Sequence, residues 1–103
     1  MIVEFHNEAE IELLQTKEYY NEIIDGLGDS FILEIEKKVY RIKKNPVMYP
    51  KIRKGIRKCN SKKFPYFIYY KAIKETIYIL AISHQMRKPF YWSKRKISDI
   101  NTN

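Results

Sequence analysis

The feature that most constrains the fold is a change in the spacing of apolar residues at Pro50. Before it, apolar side chains recur at helical intervals over residues 8–45; after it, they crowd into 63–71 and 76–83, which are rich in β-branched and aromatic residues. The first pattern is typical of helices that bury one face, and the second is typical of strands. Because the helices and strands fall in separate parts of the chain, the sequence predicts an α+β fold.

The helical part divides into a hairpin of two helices. Asn7 followed by Glu10 matches the capping box that begins many helices. The glycines of residues 25–28 end the first helix, since glycine readily takes the left-handed conformation of a C-cap. Asn45-Pro46 ends the second, because proline cannot donate to the helix ladder. The faces that we expect to be buried are Ala9, Leu13, Tyr20, Ile23, Ile24 and Leu27 in the first helix and Phe31, Ile35, Val39 and Ile42 in the second.

The strands are expected near residues 2–6, 52–59, 63–71 and 75–84. Short turns separate the last three, which predicts an antiparallel meander. The predicted order is therefore β-α-α-β-β-β, with the helical hairpin packed on one face of a small antiparallel sheet. A chain of 103 residues is the size of one domain. We assign residues 1–96 to that domain and 97–103 to a polar tail.

Charge is distributed unevenly along the chain. The net charge is +8, but residues 1–50 carry −4 and residues 51–103 carry +12. This asymmetry predicts a nucleic acid or an acidic protein as partner. The lone Cys59 and the absence of a histidine cluster predict no disulfide, metal or cofactor. The N-terminus does not look like a signal peptide, and no run approaches the ~18 apolar residues of a membrane span, so we expect no membrane partner and a cytoplasmic location.

Ordered motifs along most of the chain carry a family resemblance. They are Tyr19-Tyr20, Gly26-Leu27-Gly28, Phe31, Asn45-Pro46, Tyr49-Pro50, Ile56-Arg57, Phe64-Pro65-Tyr66, Ile68-Tyr69-Tyr70, Ala81-Ile82-Ser83-His84 and His84-x-x-Arg87-x-Pro89-x-Tyr91-Trp92-x-x-Arg95. The series resembles the RelE/ParE superfamily of bacterial toxins over residues 3–95. The resemblance implies a growth-arresting toxin of a type II toxin–antitoxin system, with a fold in the predicted order. It also implies a co-expressed antitoxin, which we expect to be acidic.

The resemblance leaves the target open. RelE-like members cleave mRNA on the ribosome, whereas ParE-like members inhibit DNA gyrase without being enzymes. Arg87 and Tyr91 stand near functional positions of the RelE type, but Tyr66 replaces an expected arginine and Gly26-Leu27-Gly28 looks more ParE-like. We slightly favour translation, with the ribosome and mRNA as partners, over gyrase. A non-toxic basic RNA-binding module is a third, more distant reading.

Four residues are candidates for catalysis under the ribonuclease reading. Arg57 and Arg87 would hold the phosphate, since guanidinium binds phosphate in bidentate fashion. Tyr91 or His84 would assist proton transfer. The structural alternatives are that Arg87 pairs with a carboxylate and stacks on Trp92, and that His84 caps the end of a strand.

A further group of basic residues is expected to contact nucleic acid. Arg53 and Arg57 should share one face of a strand, with Lys54 and Lys58 on the other. Some aromatic side chains of the 63–71 strand and the C-terminal segment should stand on an open sheet face, where they could stack on bases. The alternative is that the lysines only discourage aggregation at a sheet edge. The expected nucleic-acid contacts are Arg53, Lys62, Lys63, Lys88 and Arg95.

Overall fold

The structure, a computed structural model that describes residues 1–100, contains two helices and a five-stranded sheet. In chain order the elements are β1 (Ile2–Phe5), α1 (Asn7–Ile23), α2 (Leu27–Lys44), β2 (Lys51–Arg53), β3 (Ile56–Asn60), β4 (Tyr66–Ile73), β5 (Thr76–His84) and a 3-10 turn (Ile97–Asp99). The predicted α+β class is confirmed. Within the described residues, no helix is long and apolar enough to cross a membrane.

The sheet is mixed, so the prediction of an antiparallel sheet was wrong in one respect. Its strand order is β1-β5-β4-β3-β2. The pairs β2–β3, β3–β4 and β4–β5 are antiparallel, but β1 runs parallel to β5, with Ile2 opposite Thr76 and Phe5 opposite Ile79. The pattern of a short strand does not encode its partner, and β1 lies more than 70 positions from β5 along the chain.

The single strand expected at 52–59 is two strands joined by a tight turn. Lys54 (φ 48°) and Gly55 (φ 78°) both occupy the left-handed region, as hairpin turns of the primed types require. Arg53 therefore lies opposite Ile56 across the hairpin, and Lys54 belongs to the turn. The expected alternation of Arg53 and Arg57 against Lys54 and Lys58 along one strand is wrong for this reason.

The helical hairpin covers one face of the sheet. The inner face of α2 is buried as predicted, because Phe31, Ile35 and Ile42 are at most 2% exposed. Gly28 permits the close approach of the helices, since a Cβ there would clash with the Lys17 carbonyl oxygen. The prediction for the end of α1 was wrong. Ile23 and Ile24 are 55% and 60% exposed, because the helix ends at Ile23 and Ile24 turns to an extended conformation.

The beginning of α1 also differs from the predicted capping box. His6 is the N-cap, and its ring nitrogen Nδ1 accepts a hydrogen bond of 3.1 Å from the backbone N–H of Glu8. Asn7 is already the first helical residue. An imidazole nitrogen one residue earlier therefore supplies the acceptor that we had assigned to the asparagine side chain.

The opposite face of the sheet is partly covered by the chain that follows β5. Trp92 is 3% exposed and packs on Tyr69, with ring centroids 4.7 Å apart. Together with Ile56, Leu80 and Ala81 these residues form a second core. Some of the six aromatics in the 63–71 strand and the C-terminal segment were expected on an open face, but Tyr66, Tyr69, Tyr70 and Trp92 are buried and Phe67 and Tyr91 are half-buried. The sheet is thus covered by the helices on one face and partly covered by the C-terminal segment on the other.

The expected polar tail is described only as far as residue 100. Its first residues form the 3-10 turn Ile97–Asp99, and Ile100 is 7% exposed. Residues 101–103 lie outside the described residues. The domain boundary at 96 stays a prediction.

Candidate functional site

Glu12 is the centre of a buried polar cluster that joins α1, β5 and the C-terminal segment. Its carboxylate accepts hydrogen bonds from the Tyr91 hydroxyl (2.6 Å) and from both terminal nitrogens of Arg95 (2.9 Å each). It also accepts one from the backbone N–H of Ile82 (3.0 Å). The side chains of Glu12 and Arg95 are each 13% exposed. Bidentate ion pairs of this kind are the strongest that side chains make.

The sheet topology explains why this cluster exists. β1 ends opposite Ile79, so beyond that residue the outer edge of β5 has no strand partner in the part of the chain that the structure describes. Glu12 accepts from the N–H of Ile82, and Arg95 donates to the carbonyl of Leu80 (2.9 Å). The two side chains therefore satisfy backbone groups that would otherwise be buried without partners. Arg95, an expected nucleic-acid contact, has its guanidinium occupied inside the molecule.

The cluster also sets the acid–base properties of Tyr91. Burial, aided by the hydrogen bond to Glu12, raises the pKa of Tyr91 to about 12. Burial alone would lower the pKa of Arg95, but the hydrogen bond and charge of Glu12 outweigh this effect. The pKa of Arg95 is therefore raised above its usual value. The Tyr91 hydroxyl thus stays protonated and donates a hydrogen bond to Glu12. Its oxygen is therefore not available as a base.

Arg87 and His84 lie together in a shallow cleft of about 180 Å³ between α1 and the end of β5. Arg87 is exposed, and its guanidinium carbon sits 4.0 Å from the centre of the Tyr91 ring. It stacks on Tyr91, and not on Trp92 as the structural alternative had it. His84 packs edge-on against Tyr66, at 5.2 Å between ring centroids. Its Nδ1 accepts a hydrogen bond from the N–H of Met86 (3.0 Å), so a neutral ring carries its proton on Nε2.

Arg57 does not reach this cleft. Its guanidinium donates to the backbone carbonyls of Val47 (3.2 Å) and Tyr49 (2.7 Å), which braces the loop between α2 and β2. Arg57 lies opposite Tyr70 of β4, whereas His84 lies opposite Tyr66. Four residues along a strand span about 13 Å, and a neighbouring strand adds a further separation. Of the four expected catalytic residues, Arg87, His84 and Tyr91 are therefore neighbours, and Arg57 is not brought to them.

The remaining expected nucleic-acid contacts fall into separate places. Arg53 and Arg95 line a pocket of about 280 Å³ with Lys54, Lys71 and Lys96, and none of the ten lining residues is acidic. Arg53 also lies 4.3 Å from the centre of the Phe90 ring. Lys62, Lys63 and Lys88 are exposed. In the part of the chain that the structure describes, no group of His, Cys, Asp and Glu residues could hold a metal ion.

Sequence reasoning missed Glu12, although a signal was present. Glu12 stands three residues after Ala9 and four before Thr16, both of which are buried on the inner face of α1. A carboxylate at helical spacing within a buried stripe requires a buried partner. The spacing could have indicated that Glu12 has a buried partner. It could not have identified Arg95, which lies far away along the chain.

The comparisons with known proteins agree with the observed fold. The family model described as "ParE toxin of type II toxin-antitoxin system, parDE" matches residues 3–89. A solved structure described as the chromosomal ParDE TA system from P. aeruginosa superposes with a TM-score of 0.72 at 17% identity, over 82% of this chain and 95% of that one. At this identity the likeness concerns the fold alone. No curated protein matches. Because the family model spans most of the chain, this protein belongs to the ParE toxin family of type II toxin–antitoxin systems.

Proposed function

We propose that this toxin arrests growth by binding and inhibiting DNA gyrase, without cleaving RNA. The observation that carries the proposal is the fate of the expected ribonuclease residues. Arg57 is bound to loop carbonyls and does not line the cleft of His84 and Arg87, and Tyr91 is bound to Glu12. This reverses the slight preference for translation that the sequence alone suggested.

Chemistry supports the same choice. Cleavage of RNA by its own 2′-hydroxyl needs a base to take the proton and a fixed cation beside the phosphate. With its pKa raised to about 12, Tyr91 is a poor base. His84 accepts a backbone N–H at Nδ1, so its neutral ring offers Nε2 as a donor. Neither side chain is therefore ready to begin the reaction.

The segment that follows β5 supplies a surface suited to binding a protein. Met86 is 85% exposed and Phe90 is 38% exposed, with the exposed cations Arg87 and Lys88 between them. Apolar and aromatic anchors flanked by arginine are characteristic of protein-binding hot spots. Phe90 is also held at φ 59°, which is rare for a bulky residue. Such strained conformations cluster at binding sites, where the surrounding structure maintains them.

The test compares two reactions in vitro. Purified toxin is added to gyrase with relaxed plasmid and ATP, and in parallel to a cell-free translation reaction with a reporter mRNA. We expect supercoiling to stop while reporter synthesis continues. Arg87→Ala should lose the inhibition, whereas Lys94→Ala, which removes an exposed cation elsewhere in the same segment, should keep it. Unimpaired supercoiling with cut mRNA would refute the proposal.

Ribosome-dependent mRNA cleavage is the second candidate. It is favoured by one observation, the shared cleft of His84 and Arg87, where Arg87 is exposed and, among residues 1–100, has no ion-pair partner that would compete with a phosphate. Primer extension on mRNA from translating ribosomes would reveal cuts at defined codon positions. If cuts appear and vanish in His84→Gln, the cleft is an active site and the gyrase proposal fails.

We also propose that an acidic antitoxin silences this toxin, as membership of the family suggests. An apolar groove of about 470 Å³, lined by residues that include Val3, Phe5, Leu13 and Val39, lies beside β1, whose outer edge pairs with no strand of residues 1–100. An amphipathic segment could fill the groove and pair with that edge. Val39→Asp should then leave growth arrest intact but prevent the neighbouring gene from relieving it. Full rescue of this variant would place the antitoxin elsewhere.

A further inference from the structure

A pocket of about 280 Å³ opens on the sheet face that the helical hairpin does not cover. We call it the basic pocket. Its rim carries five basic residues, and none of its ten lining residues is acidic. The basic residues are Arg53, Lys54, Lys71, Arg95 and Lys96.

The rim is assembled from distant parts of the chain. Arg53 ends β2 and Lys54 lies in the turn after it, Lys71 belongs to β4, and Arg95 and Lys96 follow β5. A run of charge along one strand is usually a solvated surface. Convergence of three separate segments around one recess instead concentrates positive potential at a single place.

Most of this charge is not compensated inside the protein. Arg95 is paired with Glu12. The other four basic residues of the rim make no ion pair within residues 1–100. Like charges around one recess repel each other, and an anion bound among them would relieve that repulsion.

Three of the four uncompensated cations are positioned by their surroundings. A Cβ at Gly55 would lie 3.2 Å from Cε of Lys71 and 3.7 Å from its ammonium nitrogen, so the Lys71 side chain passes over the turn where glycine leaves room for it. Lys54 is held in that turn at φ 48°, which is uncommon for a residue other than glycine. The guanidinium carbon of Arg53 lies 4.3 Å from the centre of the Phe90 ring. A ligand therefore has less side-chain ordering to impose, which lowers the cost of binding.

The floor of the pocket is apolar and well packed. It includes Ile56, Leu80 and Trp92, which are 7%, 2% and 3% exposed. Such a floor keeps water from one side of a bound anion. The attraction between that anion and the rim is then screened less than at an open surface.

We propose that the basic pocket binds a small molecule that carries two linked phosphoryl groups, such as a nucleoside diphosphate. Two linked phosphoryl groups place several negative charges within a short distance, which matches four uncompensated cations around one recess. Arg53 offers paired donors to phosphate oxygens, and the lysines act as point charges. The site does not include Arg87, so the proposal is independent of how the toxin meets its target.

The size and lining of the pocket favour a free small molecule over a nucleic acid. Pockets for small molecules hold about 300–1,000 Å³, and this one lies near the lower end of that range. Proteins that bind single strands combine a basic groove with exposed aromatic rings that stack on bases. Trp92, the aromatic residue of the lining, is instead buried in the floor.

Calorimetric titration at constant ionic strength measures the binding of pyrophosphate, ADP and a ten-nucleotide oligothymidylate to the full chain. Lys71→Gln removes one charge of the rim. Lys94→Gln removes the same charge from an exposed lysine that does not line the pocket. We expect Lys71→Gln to weaken the binding of pyrophosphate by about tenfold or more, as loss of a charge-assisted contact does, and Lys94→Gln by less than about twofold, because salt screens a distant charge. Trp92 is the one tryptophan of the chain, so its fluorescence should change with the same saturation curve.

The two small ligands distinguish the sources of the phosphoryl groups. Tighter binding of ADP would identify a nucleotide, and equal affinities would identify a free diphosphate. No saturable binding of either ligand, or equal losses in the two variants, would overturn the proposal. Oligothymidylate that binds more tightly than both and is lost in Lys71→Gln would assign the pocket to nucleic acid and overturn it as well. If circular dichroism shows that Lys71→Gln does not fold, Lys96→Gln at an exposed position of the rim takes its place, with the same control and the same expected loss.

Discussion

Replacing Glu12 with alanine removes the carboxylate that joins α1 to β5 and to the C-terminal segment. Four hydrogen bonds are lost: two from Arg95, one from the Tyr91 hydroxyl and one from the N–H of Ile82. The guanidinium of Arg95 is then left with its side chain 13% exposed and without a counter-charge. The cost is therefore that of an unpaired buried charge, and not that of a surface salt bridge.

The expected loss of stability follows from this geometry. Removing one partner of a buried ion pair costs about 3–5 kcal/mol. Because both side chains keep some contact with water, we take the lower end, about 3 kcal/mol. Each 1 kcal/mol lowers the melting temperature of a domain near this size by about 4–8 °C. Glu12→Ala should thus lower the melting temperature by roughly 12 °C or more.

Thermal unfolding followed by circular dichroism or calorimetry measures this loss. Glu10→Ala is the matched control, because Glu10 is an exposed carboxylate on the same helix. The double variant Glu12→Ala/Arg95→Met should be more stable than Glu12→Ala alone, since it removes the orphaned charge. If Glu12→Ala melts no lower than Glu10→Ala, the carboxylate does not hold the C-terminal segment and the reasoning fails.

Two further predictions concern the C-terminal segment and alkaline pH. Arg87→Ala should lower the melting temperature by less than about 8 °C, because an exposed cation–π contact contributes only about 0.5–1 kcal/mol. The same variant should no longer arrest growth. A larger fall in melting temperature would mean that Arg87 is needed for folding. Burial raises the pKa of Tyr49, Tyr70 and Tyr91 to about 12, so their contribution to stability is complete below pH 10 and is lost as pH rises from 10 to 12. Urea unfolding at pH 9, 10 and 11 tests this, and a flat profile would contradict it; Tyr91→Phe should reduce the slope.

Local patterns in the sequence were sufficient to predict both helices and the strands of the meander. The buried face of α2 and the break between the helices were predicted because helix periodicity and turn residues are local properties, but the expected glycine C-cap was wrong: Ile24 is the C-cap of α1, and Gly26 (φ 86°) is the N-cap of α2. The division of β2 from β3 was not predicted, although Gly55 is a local signal for a two-residue turn. The basic residues on both sides of Gly55 had been assigned to a single strand. The parallel pairing of β1 with β5 was not, because it depends on a partner far along the chain.

The candidate site was harder to predict, for a related reason. Family motifs drew attention to Arg57, Tyr91 and Arg95, which are indeed ordered features of the molecule. Their hydrogen-bond partners are three backbone carbonyls, of Val47, Tyr49 and Leu80, and the carboxylate of Glu12 from α1, a residue that no motif contains. A motif reports that a residue is needed, but only the geometry distinguishes a residue needed for folding from one needed for binding.

The arginines of residues 51–103 therefore fall into two groups with different roles. Arg57 and Arg95 are occupied inside the molecule, where they replace missing backbone and charge partners. Arg87 is exposed and, within residues 1–100, is in no ion pair, although its guanidinium stacks on the Tyr91 ring. An exposed arginine without an ion-pair partner can bind an anionic group of another molecule without breaking a contact inside the protein. On this reasoning the net charge of +8 is a poor guide to the binding surfaces, and the unpaired cations are a better one.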